Sequence, residues 1–323
     1  MSLKKAVECV RKNNKFLITS HVGLEGDALG SELAFYLLLK RLGKAARVIN
    51  DDKTPYAYQF LPHNSLIEKF SAKSSGMVDY DCFAVLDCAD LRRAGRARAF
   101  DAGQGAVLNI DHHVSNQRFG AVNWVEPGYS SCSEMIYRLY KELRVPFDGD
   151  SALLLYTGIL TDTGSFRYSN TTGYTHRAAA ELLRFNLNVP YIYNTVYGNI
   201  PLQDMKFLNN ILTKMRLEET GRLAWFQVEK KTLRSKQPVF DLTDHLMNYA
   251  RTIKGVEVCA LFRENLGAKD EVRVNLRSQG KIDVNKIAAF FGGGGHKTAS
   301  GITIKGRINQ VRRQVLDKIR ESL

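Results

Sequence analysis

The sequence predicts an α/β protein in two parts: an N-terminal domain on a parallel sheet, and a smaller C-terminal α/β domain with a mixed sheet. Three observations carry this. The 323 residues exceed what one small core needs. In the first half, continuously apolar runs alternate with segments of helical spacing, the pattern of a parallel sheet covered on both faces. In the last third, strand-like runs alternate apolar and polar residues, as in a half-exposed mixed or antiparallel sheet.

In chain order, residues 15–20 (KFLITS) form an apolar strand that ends at His21. The loop VGLEGDALGS leads into a helix, SELAFYLLLKRLGK, with Gly43 at its C-cap position. Residues 46–50 (ARVIN), 82–86 (CFAVL) and 106–110 (AVLNI) are further strands; the last two run into Asp87 and Asp111. Residues 133–142 are helical, and the apolar run 152–160 before Asp162 fits helix or strand. Pro190, Pro201 and several asparagines mark a hinge that leads into a helix over 203–216. Strands at 221–228, 256–262 and 270–277 and helices at 284–291 and 308–319 complete the chain. The expected division is a domain over 1–188, a linker with a hinge helix over 189–215, and a second domain over 216–323.

Composition limits the function classes. Hydrophobic residues at 44% exclude a disordered or fibrous chain. Lys and Arg outnumber Asp and Glu 46 to 33, and a net charge of +13 attracts polyanions such as nucleic acid, nucleotides or polyphosphate. The Arg-rich stretch 91–98 and the last helix also read as solvated faces. The five cysteines lack CxxC spacing, so neither a zinc ribbon nor a disulfide framework is indicated, and an odd, scattered count fits a reducing compartment. The first residues are charged, without the apolar stretch of a signal peptide, and no apolar run approaches the roughly eighteen residues of a membrane span. A cytoplasmic protein with no membrane partner is expected.

Acids and histidines cluster where strands end, and in an open parallel sheet those ends share one ligand-binding edge. HVGLEGD sets His21, Glu25 and Asp27 on a strand-to-helix loop, a ligand set for a divalent metal, although one such loop is more often structural. Asp87 in VLDCAD reads as a ligand or as a turn residue. DHH at 111–113 comes at a strand end; on extended backbone adjacent side chains point apart, so only one histidine need face a metal and the other can face substrate as hydrogen-bond donor or general acid. Asp111 reads as a ligand or as the residue that orients one. TGILTDTGSFRYSNTT joins Asp162 to hydroxyls and Arg167, groups that suit a phosphate or a polar loop. GGGGHKTASG at 292–301 offers backbone N–H groups, His296 and Lys297 to an anion but lacks the P-loop pattern. Ser278, at a strand end, adds a hydroxyl. Six or seven O/N ligands suffice for two metals that share a carboxylate, the arrangement that activates water for phosphoryl displacement.

HxxxExD, VLD, DHH and TDTG, in that order and followed by GGGGHKTASG, resemble the DHH phosphoesterase family over nearly the whole chain. The resemblance is strongest to the branch of oligoribonucleases (nanoRNases) that also act as pAp phosphatases. It implies a DHH domain, a DHH-associated domain and an active-site cleft between them. It implies one metal on His21, Glu25 and Asp87, and a second on Asp27, Asp87, His112 and Asp162, with manganese as the usual ion. His113 would lie beside the scissile phosphate, with Asp87 and Asp111 also in the catalytic set. Arg277, Ser278, Gly294, Gly295, His296 and Ser300 would hold the nucleotide. The implied activity is hydrolysis of very short RNA to 5′-mononucleotides and removal of the 3′-phosphate of pAp. The implied partners are short RNA oligonucleotides or small nucleotides, with a homodimer left open. The chain departs from the family at Glu25, where aspartate is usual, and at Leu24, where proline is common. Glutamate keeps the charge and adds a methylene, so the carboxylate reaches further. The same residues would serve a linear or cyclic dinucleotide phosphodiesterase, an exopolyphosphatase or pyrophosphatase, or a catalytically silent nucleotide-binding protein. Polyphosphates, however, offer no base for the second domain to recognise.

Overall fold

The first unit, Met1–Asn199, is built on six strands: β1 (Lys15–Thr19), β2 (Ala45–Asn50), β3 (Ile67–Lys69), β4 (Cys82–Leu86), β5 (Ala106–Asp111) and β6 (Val122–Val125). The structure, a computed structural model, describes residues 2–71, 78–101, 105–235, 242–265 and 270–323. The strand order is β3-β2-β1-β4-β5-β6 and every neighbouring pair is parallel. Alternate residues of one strand feed two cores, as a period of two requires. Phe16, Ile18, Ala84 and Leu86 join the cluster under the long helices, whereas Leu17, Phe83 and Val85 join Phe70 and Phe100 on the opposite face. The order reverses between β1 and β4, and a crevice opens at such a reversal beyond the strand carboxyl ends.

Among the described residues, six α-helices accompany this sheet: α1 (Ser2–Lys12), α2 (Gly26–Arg41), α3 (Cys132–Leu143), α4 (Gly149–Asp162), α5 (Gly173–Leu183) and α6 (Val189–Tyr197). The apolar run before Asp162 is therefore a helix. A capping box between Asp148 and Ser151 starts it, and its 14 residues exceed an ordinary strand. Asp162 thus ends a helix and not a strand. Small residues let α2 and α4 approach closely. A Cβ on Gly30 would stand 2.5 Å from the Leu154 carbonyl oxygen, and one on Gly158 would overlap the Ser133 hydroxyl. The stretch read as a hinge is ordered into α6, capped by the Asn188 side chain. The Arg-rich stretch is a 3₁₀ segment, Leu91–Asp101, kinked at Gly95, whose φ is +60°.

The second unit, Ile200–Leu323, holds α7 (Leu202–Leu212), β7 (Arg216–Glu218), β8 (Leu223–Val228), α8 (Lys230–Ser235), α9 (Thr243–Thr252), β9 (Val258–Glu264), β10 (Glu271–Ser278), α10 (Val284–Phe290), β11 (Gly294–His296), β12 (Ala299–Lys305) and α11 (Ile308–Arg320). Helix α7 ends earlier than its sequence pattern suggests, because the chain turns at 213–215 into β7. The sheet order is β11-β12-β10-β9-β8-β7; β8 and β9 are parallel and the other pairs antiparallel, so the sheet is mixed. Val258, Ala260, Phe262, Val272, Val274 and Leu276 pack against Val284, Ile287, Val311, Val315 and Ile319 of α10 and α11. Among the described residues, no helix is long and apolar enough to cross a membrane.

Candidate active site

The carboxyl ends of β1, β4 and β5 each deliver one part of a cluster. Two residues beyond β1, the His21 ring donates from Nδ1 to the Val22 carbonyl oxygen at 2.9 Å. That bond turns Nε2 toward Asp87 Oδ2, at 3.4 Å, and Glu25 Oε1, at 3.7 Å. Asp87 follows β4 directly and takes φ +50°, a left-handed conformation that aspartate tolerates better than most residues. Beyond β5, His112 Nε2 lies 3.5 Å from Asp87 Oδ1, 3.8 Å from Asp27 Oδ2 and 3.4 Å from Asp162 Oδ2. The expectation that the two histidines point apart fails: their ring centroids are 4.9 Å apart, and His113 Nδ1 is also 3.6 Å from Asp87 Oδ1. The rings differ in their other partner, because His113 Nδ1 meets Asp111 Oδ1 at 2.7 Å. Asp111 is thereby spent on the histidine and, through Oδ2, on Asn116 Nδ2, at 2.6 Å.

Helix ends hold the remaining acids. Asp27, in the first turn of α2, accepts from the amides of Cys132 (2.6 Å) and Ser133 (2.7 Å) at the start of α3. Its charge is held at the positive end of a helix. Asp162 ends α4, where Asn170 Nδ2 donates to its carbonyl oxygen at 3.1 Å. Glu25 differs from the others, with 54% of its side chain exposed, whereas those of Asp27 and Asp87 are buried.

The electrostatics are those of acids crowded together out of water. Burial, with the Asp87 charge added, pushes the Asp27 carboxyl up to about 7. Burial also drives Asp162 well above the usual range, against the opposing charge of His112. Asp87 resists its own burial, because His112, His21 and His113 hold it well below that range. Asp111 is likewise buried, yet the charge and hydrogen bond of His113 bring it to about 2. Burial depresses His112, but Asp162 and Asp87 outweigh that and raise it strongly. For His21, burial and the charge of Arg93 act downward, and Asp87 and Glu25 prevail, so it too is raised. Among the described residues, His21 Nε2, Asp87 Oδ1 and Asp162 Oδ2 are buried without a hydrogen-bond partner. His21–Glu25–Asp87, Asp27–Asp87–His112 and Asp87–Asp111–His113 each place one donor atom per residue within 4.8 Å of one another. Unmatched carboxylate oxygens beside imidazole nitrogens are a donor set that divalent cations complete, and the residues fit such ions.

The second unit gathers its predicted residues separately. Arg277 pairs with Ala299, Leu276 with Ser300, and Ser300 with Gly295, so Arg277, Ser278, Gly294, Gly295, His296 and Ser300 lie on three adjacent strands. Gly295 has φ +142°, and a Cβ there would stand 2.5 Å from the Ala299 carbonyl oxygen. Ser300 Oγ donates to the His296 carbonyl oxygen at 2.9 Å, and Arg277 Nη2 to Asp244 at 2.9 Å. In the first unit, Arg167 is exposed and its Nε donates to the Gly164 carbonyl oxygen at 2.7 Å, closing the turn after Asp162. Sequence reasoning missed Asn116, Asn170 and the α3 amides, which hold Asp111, Asp162 and Asp27 from behind, and no local pattern marks them.

Residues 15–159 match the DHH family, N-terminal domain, and residues 241–323 match the DHHA1 domain. A relative from Thermus thermophilus named bifunctional oligoribonuclease and PAP phosphatase NrnA is 31% identical over 307 residues, 95% of this chain and 89% of that protein. A protein of the same name from Bacillus subtilis is 30% identical over 292 residues, 89% of this chain and 88% of the relative. The crystal structure of an exopolyphosphatase-related protein from Bacteroides fragilis matches with a TM-score of 0.85 at 27% identity, covering 98% of this chain and 96% of that one.

Proposed function

This chain belongs to the DHH family, and from that premise we propose that it is a metal-dependent phosphodiesterase. It hydrolyses very short oligoribonucleotides to 5′-mononucleotides and removes the 3′-phosphate of pAp. One observation carries the reading: six potential ligands, His21, Glu25, Asp27, Asp87, His112 and Asp162, converge at the edge where the strand order reverses. The names of the full-length relatives point to the substrates.

His21, Glu25 and Asp87 would hold one divalent ion. Asp27, Asp87, His112 and Asp162 would hold the other, with Asp87 shared. Manganese suits this mixture of imidazole and carboxylate. Such a pair of ions supplies an activated water at neutral pH and neutralises charge on the phosphoryl oxygens. The two activities are then one reaction. In pApA and in pAp alike, water adds to phosphorus and the P–O3′ bond breaks, releasing the 3′ oxygen of a nucleoside 5′-phosphate. That oxygen needs a proton, and His113 would supply it. Asp111 holds Nδ1, so a proton for the leaving oxygen would be handed over from Nε2. Arg167 and the residues on β10, β11 and β12 (Arg277, Ser278, Gly294, Gly295, His296, Ser300) would bind the nucleotide through guanidinium, hydroxyl and backbone N–H groups. All five cysteines are thiols, which supports a cytoplasmic enzyme.

The test is a time course. Metal-stripped protein receives manganese and then pApA or pAp, and AMP is followed by chromatography. AMP from both, only with metal, is the expected result. No AMP from either substrate at any manganese concentration would sink the reading.

A further inference from the structure

Arg92, Arg93, Arg96 and Arg98 crowd the 3₁₀ segment after Asp87, and their partners differ. Arg92 is paired with Asp90, its Nε 2.8 Å from Oδ2, and Arg96 with Asp51, its Nε 2.6 Å from Oδ1. Both are exposed, as is Arg98. Arg93 is half-buried, and among the described residues its guanidinium meets no carboxylate. Keeping such a charge partly out of water without a counter-ion is unfavourable.

Arg93 is also tied to the centre. Its carbonyl oxygen accepts from the Val22 amide at 2.7 Å, which binds the 3₁₀ segment to the residue after His21. Its charge acts on His21 and on Cys88, the two residues that flank Asp87 in space and in sequence. Five carboxylates lie in this centre, yet the ion pairs of Glu25, Asp27, Asp87, Asp111 and Asp162 among the described residues are with histidine alone. Among the described residues, none of these acids forms an ion pair with Arg93. In the sheet, β1 and β5 lie on opposite sides of β4. The backbone of Arg93 is tethered to the residue after His21, on the β1 side of β4, whereas His113 follows β5 on the other side of β4.

We propose that Arg93 binds the phosphoryl group undergoing transfer, contacting a non-bridging oxygen on the His21 side while His113 faces the leaving oxygen on the other. The assignment rests on the phosphodiesterase reading and adds an anion-binding residue to it. A guanidinium suits this place, since it stays charged and offers several donors in one plane.

The tether to Val22 is a backbone bond, so Arg93→Gln retains it and removes only the charge. The probe is AMP, titrated calorimetrically into manganese-loaded protein, alongside kcat/KM on pApA and pAp and a manganese titration. Arg93→Gln is expected to weaken AMP binding by about tenfold or more and to lower kcat/KM on both substrates at least as much. Manganese affinity is expected to stay unchanged, and Arg93→Lys to recover part of the loss. Undiminished AMP binding by the Gln variant overturns the assignment. So does a loss of manganese affinity equal to the loss of AMP affinity, which would make Arg93 a support for His21. If wild type binds AMP in an Arg93-dependent manner but turns over neither substrate, the functional reading fails and the anion site stands.

Discussion

Glu32 lies behind the site, on α2, and replacing it with glutamine tests the electrostatic account. The residue is fully buried. Its Oε2 accepts from Asn50 Nδ2 at 2.8 Å, while Oε1 has no hydrogen-bond partner among the described residues. Asn50 Oδ1 in turn accepts from Thr19 Oγ1 at 3.0 Å and the Ser20 amide at 3.2 Å, so Glu32 braces the strand end that presents His21. Burial pushes the carboxyl up from 4.5 to about 8, with Asn50 opposing and the Asp87 charge adding. Between those values the folded chain holds a proton that the unfolded chain has released. The stabilisation from this group is therefore complete below about 4.5 and lost as pH rises through about 8. Within the window the slope is about 1.4 kcal/mol per pH unit. Glu32→Gln keeps an acceptor for Asn50 and cannot ionise. Its unfolding free energy relative to wild type should therefore grow by roughly 2–3 kcal/mol between pH 5.5 and 7.5. Urea denaturation of the metal-free proteins across that range measures it, and the other buried acids cancel in the difference. A difference that does not change with pH would refute the reasoning.

Three further outcomes follow from the geometry. Asp87→Asn keeps the size and the left-handed backbone but removes the negative charge and replaces one carboxylate oxygen with an amide NH2; activity should fall by at least about 100-fold while circular dichroism stays native, and retained activity would overturn the proposal that Asp87 is shared between two ions. Gly158→Ala puts a methyl into the Ser133 hydroxyl and 2.9 Å from Asp27 Oδ1; thermal unfolding should show a loss of about 1–3 kcal/mol, accompanied by weaker manganese binding in calorimetry. Glu25→Asp acts on an exposed side chain, so stability should move by less than about 0.5 kcal/mol, and the manganese isotherm should change in one of its two phases only.

Much of this was legible where chemistry sits at strand ends. An apolar strand buried on both faces has a continuous sequence signature, and the polar residue that terminates it stands out. His21, Asp87 and the DHH triplet were found that way. Asp162 was found by its neighbours and assigned no definite element, since an apolar run of that kind suits a buried helix as well as a strand. The two adjacent histidines were misread geometrically, because the alternation rule holds within a strand and the chain leaves β5 at Asp111. The supports were not legible at all. Asp27 is fixed by amides about a hundred residues away, 105 positions to Cys132, and Glu32 works through Asn50 on another strand. An asparagine or a buried glutamate has no local pattern that announces such a role.

Asp27 and Glu25, each proposed to hold an ion, differ in how they are held, and that bears on the glutamate at position 25, where the family resemblance leads one to expect aspartate. Asp27 has both oxygens engaged by the α3 amides, and a Cβ at Gly158 would already crowd one of them. An added methylene at position 27 would drive the carboxylate into the start of α3, and packing there cannot relax without moving α2 against α4. Position 25 carries no such constraint. It caps α2 in extended conformation without a side-chain hydrogen bond, and more than half of its side chain meets solvent. A longer acid can swing there until its oxygen meets His21 Nε2, as Glu25 does at 3.7 Å. A glutamate is thus accommodated at position 25, where rotamer choice and not helix packing sets the carboxylate.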